Sequence, residues 1–383
     1  MMKLVFVVPL LAPYDILRFE SMAKIEDLEL HIVVERDTDK EREGWRFQQI
    51  QGCQVYLLNS KRFKSYQVKH KNDGYSIEQS RFYPFGLKRL LKKINPDIVL
   101  ICNAMQAMFA SGKREYQLGI IVEDTLRAAE GRTPINKWLK RLAYNKVDFC
   151  VPFTQSAIQF LQVNRIEKPI IRSSWSINLE LFQDLQNDEE REQMCYKLEL
   201  PQNKKKYIII SSLIARKGVL QFLGAWNNMP ANFTLQSELY ICGDGPLRTD
   251  ILNYLTEHNI INVHLLGTRT YDDVAHYLQC CDVFVLPTLE DLCSLAVFEA
   301  MAAGKPILTT IYNGAKEMIV ENENGYVFDV MQESSTRKAL ENIWNSDLQA
   351  FGNKSLEIIN NYANDIVMER LYLDLIRKKP GSI

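Results

Sequence analysis

The sequence predicts an α/β protein built from two doubly wound parallel sheets, and three observations support this prediction. Short apolar runs recur along the chain, and segments with helical spacing separate them. The runs are apolar at consecutive positions, which is typical of strands that are buried on both faces of a parallel sheet. The 383 residues exceed what one compact core usually holds, so two domains are expected.

The first half of the chain holds seven such runs, at residues 4–10, 30–34, 55–58, 98–102, 119–122, 149–153 and 169–172. Between two of them, the spacing of Leu87, Leu91 and Ile94 predicts a helix. We therefore expect an N-terminal Rossmann-like domain over residues 1–178. The first residues resemble a short signal peptide, but no small-residue cleavage site follows, which favours a buried first strand.

The second half holds six runs, at residues 207–213, 239–242, 263–266, 283–287, 307–309 and 326–328. They predict a C-terminal Rossmann-like domain over residues 207–354. The stretch 179–206 is polar and charged, which predicts a linker between the domains. Residues 355–383 have helical spacing with no strand after them, and they are predicted to form a C-terminal helix that can cross back to the N-terminal domain.

The composition excludes several classes of protein. With 46% hydrophobic and 10% aromatic residues, the chain is not globally disordered. No apolar run approaches the roughly 20 residues that span a bilayer, so a transmembrane protein is not expected. The eight cysteines show no zinc-type spacing, which predicts a reduced, cytoplasmic protein without a metal site.

Positive charge is concentrated in the first half, where residues 61–170 carry 20 Lys+Arg against 9 Asp+Glu. The predicted helix over residues 87–94 has a basic and an apolar face, as an interfacial helix would. An anionic membrane surface, an anionic acceptor and no partner at all each fit this surplus. Peripheral contact with a membrane would put the protein at its inner face. Nucleic acid is not expected, because aromatic residues are not interleaved with these charges.

Two strand ends in the second half carry residues suited to a phosphate. One strand is followed by Ser212 and then by Arg216 and Lys217. Because ligands bind at the carboxyl ends of parallel strands, two cations here suit a phosphate, although a solvated turn is an alternative. The next strand ends at Gly243 and Gly245, whose lack of a side chain allows close backbone approach. The third glycine of the dinucleotide fingerprint is missing.

The segment 287–306 carries most of the chemical information. A strand runs into a loop that holds Asp291, and Ser294 is suited to cap the helix that follows. Glu299 is an acid inside an apolar helix turn, so its burial requires hydrogen-bond donors such as sugar hydroxyls. The helix start offers N–H groups to a phosphate. Together these features predict a nucleotide-sugar site; the alternative is a capped helix with Glu299 bonded to backbone.

These motifs resemble the retaining glycosyltransferases of family 4, which have the GT-B fold of two Rossmann-like domains facing across a cleft. In the second half the resemblance is carried by Asp291-x7-Glu299, Ala300-Met301-Ala302-x-Gly304-x-Pro306, Lys217-Gly218, Gly243-Asp244-Gly245-Pro246, Asn313-Gly314 and Asn324-Gly325. In the first half it is looser, and is carried by Asn95-Pro96-Asp97, Glu123-Asp124-Thr125 and Trp175-Ser176-Ile177-Asn178.

The resemblance implies a donor site in the second domain. Glu299 would hold the ribose hydroxyls and Asp291 would contact hydroxyls of the donor sugar. The distal phosphate would lie on the backbone amides of Cys293, Ser294 and Leu295, near the turn at Gly243. Lys217 would neutralise the departing diphosphate.

The resemblance also implies a polar residue beside the sugar, at Glu123 or Asp124 in the first domain. The chain departs from the family in two places. The loop after the first strand is Leu10-Leu11-Ala12-Pro13-Tyr14, where the family usually has a glycine-rich loop. Ser212 stands where the family has an arginine that faces the diphosphate. Arg216, next to Lys217, could replace that charge.

The function that the resemblance implies is transfer of a hexose-type sugar from a nucleotide diphosphate sugar to a glycan or polyprenyl-linked acceptor, in surface polysaccharide biosynthesis. Neither a cofactor nor a metal is expected. Two alternatives stay open: a sugar-nucleotide epimerase, which shares the GT-B architecture, and a catalytically silent nucleotide-sugar-binding protein, which the departure at Ser212 would favour.

Overall fold

The computed structural model describes residues 1–37, 46–70, 75–130, 132–185 and 187–377. The chain divides into two units, Met1–Ser176 together with Tyr362–Ile383, and Ile177–Asn361. The end of the predicted C-terminal helix, residues 378–383, lies outside the described residues.

In the part of the first unit that the structure describes, eight strands form: β1 (Met2–Val8), β2 (Leu28–Val34), β3 (Gln54–Leu57), β4 (Lys61–His70), β5 (Tyr75–Tyr83), β6 (Ile98–Ile101), β7 (Gln117–Val122) and β8 (Phe149–Pro152). Six of them make a parallel sheet in the order β3-β2-β1-β6-β7-β8. β4 and β5 pair antiparallel as a separate hairpin. The run at 169–172 makes only an isolated bridge between Cys150 and Ile170.

Helices cover both faces of this sheet, because its strands are apolar on both faces. They are Pro13–Ala23, Leu87–Ile94, Ala104–Ala110, Leu126–Glu130, Pro134–Asn145, Gln155–Val163 and Asn364–Arg377. Leu4 and Phe6 belong to the core on one face, and Val5 and Val7 belong to the core on the other. The last helix packs on Pro13–Ala23, and the Tyr372 hydroxyl donates to the Glu26 carbonyl at 3.3 Å.

The second unit holds a parallel sheet of six strands: β9 (Lys205–Ile210), β10 (Ser237–Cys242), β11 (Val263–Gly267), β12 (Val283–Leu286), β13 (Ile307–Thr310) and β14 (Gly325–Phe328). Their order is β11-β10-β9-β12-β13-β14. Its helices are Leu179–Phe182, Asp188–Lys197, Val219–Asn227, Ala231–Leu235, Arg248–Glu257, Tyr271–Cys280, Leu295–Ala302, Glu333–Trp344 and Leu348–Ile359. Each unit is thus a doubly wound Rossmann-like domain, and the predicted fold class is confirmed.

The predicted linker differs from what the structure shows. Residues 179–206 lie within the second unit, where they form two helices and the start of β9. Phe182, Cys195 and Leu200 are buried there. Three apolar residues in a polar stretch do not form a pattern that the sequence makes visible. In the structure their side chains are buried, and the segment packs within the second unit.

The helix Leu87–Ile94 forms as predicted, but its apolar face does not lie at a surface. Leu87, Leu91 and Ile94 are buried in the core of the first unit. Only its basic face is exposed, so the interfacial-helix interpretation of its apolar face is wrong. No helix of the described residues has the length and apolar character that crossing a membrane requires.

Candidate functional site

The predicted donor-site residues follow the carboxyl ends of neighbouring strands in the second unit. A short 3₁₀ turn, Ala215–Lys217, comes after β9 and ends at Gly218. Gly218 has φ of +65°, and a Cβ at this position would lie 2.0 Å from the carbonyl oxygen of Pro287. A glycine is required here because the turn packs directly on the end of β12.

This packing brings Lys217 to Asp291. The Lys217 Nζ donates to the Asp291 Oδ2 at 2.5 Å, and the Arg216 Nη1 lies 3.8 Å from the same oxygen. Arg216 also donates to the carbonyl of Glu290 at 2.5 Å. Both cations therefore converge on one carboxylate at the sheet edge. Ser212 is exposed and lies in the loop between β9 and this turn.

The loop that carries Asp291 is held by Asn313, which is fully buried. The Oδ1 of Asn313 accepts from the amides of Ala315 at 3.0 Å and Ser294 at 3.4 Å, and its Nδ2 donates to the Thr309 hydroxyl at 3.0 Å. The Asp291 carbonyl accepts from the Gly314 amide at 3.0 Å. Asn313 thus fixes the loop from below.

The helix Leu295–Ala302 begins at Ser294, as predicted, but the Ser294 side chain makes no capping hydrogen bond. The amides of Leu295 and Ala296 have no hydrogen-bond acceptor in the described part of the chain. The helix start therefore presents donors and the positive end of its dipole to an anion. Cys293 precedes it and is buried, and burial raises the pKa of its thiol well above the ordinary value.

Glu299 lies in the second turn of that helix and is 9% exposed. The Tyr271 hydroxyl donates to its Oε1 at 2.8 Å. Burial raises the pKa of Glu299 to about 7, and the hydrogen bond from Tyr271 lowers it in part. Among the contacts of the described residues, no backbone amide donates to this carboxylate, so the alternative of a backbone-bonded Glu299 is not what the structure shows.

The first unit contains a cavity of about 550 Å³ at the carboxyl ends of its strands. β1 and β6 are the strands at which the sheet order reverses, and this is where open α/β sheets bind ligands. The cavity is lined by aromatic residues and by charged residues, among them Tyr14, Phe82, Phe153, Trp175, Arg18, Glu35, Arg36, Arg81, Glu123, Asp124, Arg132 and Lys140.

The structure gives different surroundings to Glu123 and Asp124, the two acids that the sequence leaves as alternatives for the polar residue beside the sugar. Asp124 is 2% exposed; it forms an ion pair with Arg132 at 2.6 Å and with Lys140, and accepts from the Tyr144 hydroxyl at 2.7 Å. Burial alone would raise the pKa of Asp124, but the charges of Lys140 and Arg132 hold it well below the usual range. Asp124 therefore organises the cavity wall.

Glu123 is accessible from the cavity, and no hydrogen bond of its side chain is found among the described contacts. Its pKa is raised to about 7, because the concave wall removes much of the water around it. Of the two acids, Glu123 is the one that a ligand in this cavity can reach.

Comparison with known proteins adds to this geometry. Residues 190–364 match the family described as glycosyl transferases group 1. The resemblance to group 1 glycosyl transferases is thus confirmed for this stretch, which lies almost entirely in the second unit. The matched stretch contains Lys217, Asp291 and Glu299.

Three proteins are similar to this chain. The UDP-Gal:alpha-D-GlcNAc-diphosphoundecaprenol alpha-1,3-galactosyltransferase of Escherichia coli is 28% identical over 192 residues, 48% of this chain and 49% of that protein. The N,N'-diacetylbacillosaminyl-diphospho-undecaprenol alpha-1,3-N-acetylgalactosaminyltransferase of Campylobacter jejuni is 25% identical over 260 residues, 63% of this chain and 66% of that protein.

The third is Anabaena HepE in complex with UDP, which is 14% identical with a TM-score of 0.74 over 98% of this chain and 100% of that one. At this identity the likeness shows the fold alone. The chain spans about half the length of the curated relatives it matches.

A first prediction concerns the backbone of the second unit at Gly243. Gly243 has φ of +136°, and a Cβ at this position would lie 2.0 Å from the carbonyl oxygen of Ser211. Gly243→Ala should therefore lower the free energy of unfolding by roughly 2–4 kcal/mol, measured by urea denaturation. The control Gly224→Ala has its nearest contact at 3.9 Å and should be neutral or slightly stabilising. Equal stability of the two variants would contradict the prediction.

Several residues of the two sites are not predicted from the sequence. All of them act through contacts between segments that are distant in the sequence. They are Tyr271, Asn313, which holds the loop at Asp291, and the cavity residues Arg36 and Arg81. The Asn313-Gly314 pair is one of the motifs that carry the family resemblance, but the sequence does not indicate that Asn313 holds the loop at Asp291. Tyr271 follows an ordinary helix cap at Thr270, so nothing in its neighbourhood marked it.

Proposed function

We propose that the chain is a retaining glycosyltransferase that moves a hexose-type sugar from a nucleotide diphosphate sugar to a glycan or polyprenyl-linked acceptor in surface polysaccharide biosynthesis. One observation carries the proposal. Lys217 and Arg216 converge on Asp291 beside a helix start with open amides, and the buried acid Glu299 lies in the second turn of that helix. Cations, amides and acids are the groups that a nucleotide diphosphate sugar requires.

Each group has a role in this proposal. The Glu299 carboxylate accepts hydrogen bonds from the ribose hydroxyls, and the open amides of Leu295 and Ala296 at the helix start bind the distal phosphate. Lys217 neutralises the charge that develops on the diphosphate as the glycosidic bond to the sugar breaks. The Asp291 Oδ2 holds the two cations, which leaves Oδ1 to accept from a sugar hydroxyl.

The acceptor hydroxyl attacks from the side that the diphosphate leaves, and its proton passes to the departing diphosphate. No covalent carboxylate nucleophile is then needed, and the anomeric configuration is retained. Glu123, which is open to the cavity of the first unit, is the acid that we assign beside the sugar. Asp124, bound by two cations and a tyrosine, is assigned to holding that cavity in shape.

The relatives support the assignment of the acceptor class. Two of them are named for transfer to diphosphoundecaprenol-linked sugars, and a lipopolysaccharide core glycosyltransferase of Rhizobium meliloti is 23% identical over 190 residues. We infer that this chain likewise extends a lipid-linked glycan, in the cytoplasm at the inner face of the membrane.

The test is transfer of labelled sugar from a panel of UDP, GDP and dTDP sugars to a polyprenyl diphosphate-linked acceptor. Retention is read from the anomeric configuration of the product by NMR. Appearance of an epimerised donor without transfer would favour the epimerase. Nucleotide binding without any turnover would favour the silent binding protein.

A second prediction concerns metal ions. Among the described residues, no three His, Cys, Asp or Glu side chains are grouped as metal ligands would be. Because Lys217 and Arg216 supply positive charge at the proposed diphosphate position, transfer should keep most of its rate in excess EDTA. A rate that falls to background with EDTA and returns with Mg²⁺ or Mn²⁺ would contradict this prediction; a metalloenzyme assayed in parallel is the control.

A third prediction concerns anionic membranes. The exposed face of Leu87–Ile94 carries four cations, and the neighbouring Phe85 and Phe63 are 57% and 59% exposed. Each cation near anionic lipid contributes about 1 kcal/mol, and an exposed aromatic ring can enter the interface. The chain should therefore float with phosphatidylglycerol vesicles at low salt. Replacing all four cations of this face with glutamine should weaken the binding to these vesicles at least tenfold. The four cations are Lys88, Arg89, Lys92 and Lys93.

Salt and lipid charge provide the controls for this experiment. Raising the ionic strength should weaken flotation because the charges are screened. Vesicles of phosphatidylcholine alone should bind the chain little. Equal flotation with neutral and anionic vesicles at low salt would refute the proposed membrane contact.

A further inference from the structure

The cavity of the first unit has an unusual balance of charge. Five cations line it against four acids: Arg18, Arg36, Arg81, Arg132, Lys140, Asp15, Glu35, Glu123 and Asp124. Two of the acids are already engaged by cations of the cavity. The Arg18 Nη2 lies 2.7 Å from the Asp15 Oδ1, and Asp124 is shared by Arg132 and Lys140. One carboxylate shared by two cations leaves a net positive cluster.

The other two acids carry less than full charge at neutral pH. Glu35 follows β2 and is 2% exposed, and burial raises its pKa to about 7, although Gln106 and the charge of Arg36 lower it in part. The pKa of Glu123 is also raised to about 7. Both raised pKa values reduce the negative charge that these acids carry at neutral pH, compared with an ordinary glutamate. The cations outweigh the acids, so the cavity attracts negative charge.

Arg36 and Arg81 are held on the cavity wall by neutral groups in addition to their other contacts. The Arg36 guanidinium lies 3.8 Å from the centre of the Phe82 ring. The Arg81 Nη2 donates to the Asn136 Oδ1 at 2.5 Å. Because a guanidinium has five donors, each can hold these contacts and still bind the oxygens of an anion.

The same cavity has aromatic faces. Trp175 packs edge-on against Tyr14 and Phe153, with ring centres 5.8 Å and 5.0 Å apart, and all three rings line the cavity. Ligand pockets commonly combine apolar walls with a few placed polar groups. Rings and guanidinium groups in one cavity suit a ligand with a compact ring and an attached anion.

We propose that this cavity binds an anionic sugar, and that Arg36 and Arg81 contact its carboxylate or phosphate. The inference rests on the proposed function, because it names the chemical class of the acceptor. A uronic acid would supply a carboxylate and a sugar phosphate would supply a phosphate; the experiment below separates the two. Arg36 and Arg81 are then residues that determine acceptor specificity, rather than residues of the reacting centre.

The test observes the cavity directly, without requiring transfer. The full chain, which has five tryptophans, is labelled with 5-fluorotryptophan, and Trp175→Phe assigns the ¹⁹F resonance of Trp175. Glucuronate, glucose 1-phosphate and glucose are titrated at constant ionic strength. The Trp175 resonance should shift with at least one anionic sugar at a concentration about tenfold below that needed with glucose. The stronger of the two anionic probes identifies the anion.

Variants then test the two arginines. Arg36→Gln and Arg81→Gln should each raise the midpoint of that titration about tenfold, whereas Arg36→Lys and Arg81→Lys, which keep the charge, should raise it less. Lys113→Gln removes an exposed cation of the same unit that does not line the cavity and should leave the midpoint unchanged. Thermal unfolding of every variant checks that the fold is retained.

Equal midpoints for glucose and both anionic sugars would overturn the proposal, and so would the absence of any Trp175 shift. Midpoints of Arg36→Gln and Arg81→Gln that match the midpoint of Lys113→Gln would also overturn it. The proposed function fails separately. A chain that binds anionic sugars beside Trp175 but transfers no sugar from any donor would refute the transferase and keep this inference.

Discussion

Replacing Lys217 with methionine is expected to lower kcat for sugar transfer by about 100- to 1,000-fold, the loss seen when one preorganised donor to a developing negative charge is removed. The Lys217 Nζ lies 2.5 Å from Asp291 and is mostly buried, so its charge is weakly screened by water. Methionine keeps the apolar stem of the side chain and removes only the charge. KM for the donor should change less than kcat, because the charge on the diphosphate grows as the bond breaks.

Arg216 provides the sharpest comparison for this result. Its guanidinium lies 3.8 Å from the same Asp291 oxygen and is bound to the Glu290 carbonyl, so it is placed beside Lys217 but further from the carboxylate. Arg216→Gln should therefore cost about tenfold in kcat. A loss equal to that of Lys217→Met would mean that Arg216 fully replaces the arginine that the resembled family has at the position of Ser212. A neutral Arg216→Gln would mean that Arg216 is a surface cation.

Initial rates of label transfer measure these effects, and Lys338→Met is the matched control. Lys338 is exposed on the helix Glu333–Trp344 of the same unit, and its replacement should leave kcat unchanged. Retention of more than half of the wild-type kcat by Lys217→Met would remove Lys217 from the proposed catalytic role.

The parts of the fold that the sequence predicts well are those that depend on local pattern. Continuous apolar runs predict strands such as β1 and β9, because a strand buried on both faces needs apolar side chains at every position. The helix at 295–302 was predicted from good helix formers between Ser294 and Gly304. Since these elements meet at the carboxyl edge of a parallel sheet, the neighbourhood of Lys217 and Asp291 was also predictable.

The remaining parts depend on contacts between distant segments. Phe182 in the predicted linker packs edge-on against Tyr271, with ring centres 5.6 Å apart, and Tyr271 in turn donates to Glu299. No local pattern encodes this chain of contacts. The capping role expected of Ser294 is also not observed: its hydroxyl makes no hydrogen bond to the start of the helix. Its amide instead donates to Asn313, which is distant in the sequence. The convergence of Arg132 and Lys140 on Asp124 likewise exists only after folding.

Replacing Glu299 with glutamine is expected to weaken binding of UDP at pH 8 at least tenfold, since hydrogen bonds to a charged group are worth about 1.5–3 kcal/mol. Glu299 is buried, and Tyr271 already donates to its Oε1. Its second oxygen is therefore the acceptor that we assign to a ribose hydroxyl. Isothermal titration calorimetry of the wild type and the variant measures the difference, and Glu321→Gln, at an exposed acid of the same unit, is the control.

The pKa of Glu299 gives this prediction a pH dependence. Burial raises the pKa to about 7. Ribose hydroxyls form stronger hydrogen bonds with the ionised carboxylate than with the protonated acid. Affinity of the wild type should therefore fall about tenfold from pH 8 to pH 6 as Glu299 takes up a proton. UDP has its own ionisation in this range, but that contribution is the same for Glu299→Gln. The ratio of the two affinities isolates Glu299, and it should approach one at low pH.

Stability provides an independent check on the same group. The folded-state pKa of about 7 lies above the ordinary value of 4.5, so the folded state holds the proton more tightly than the unfolded state does. Ionisation of Glu299 therefore destabilises the fold progressively between pH 4.5 and pH 7, by roughly 3 kcal/mol in full. Glu299→Gln lacks this contribution, so it should be at least as stable as the wild type at pH 8. If Glu299→Gln instead unfolds at lower urea concentration at pH 8 while still binding UDP normally, Glu299 supports the helix and does not anchor the nucleotide.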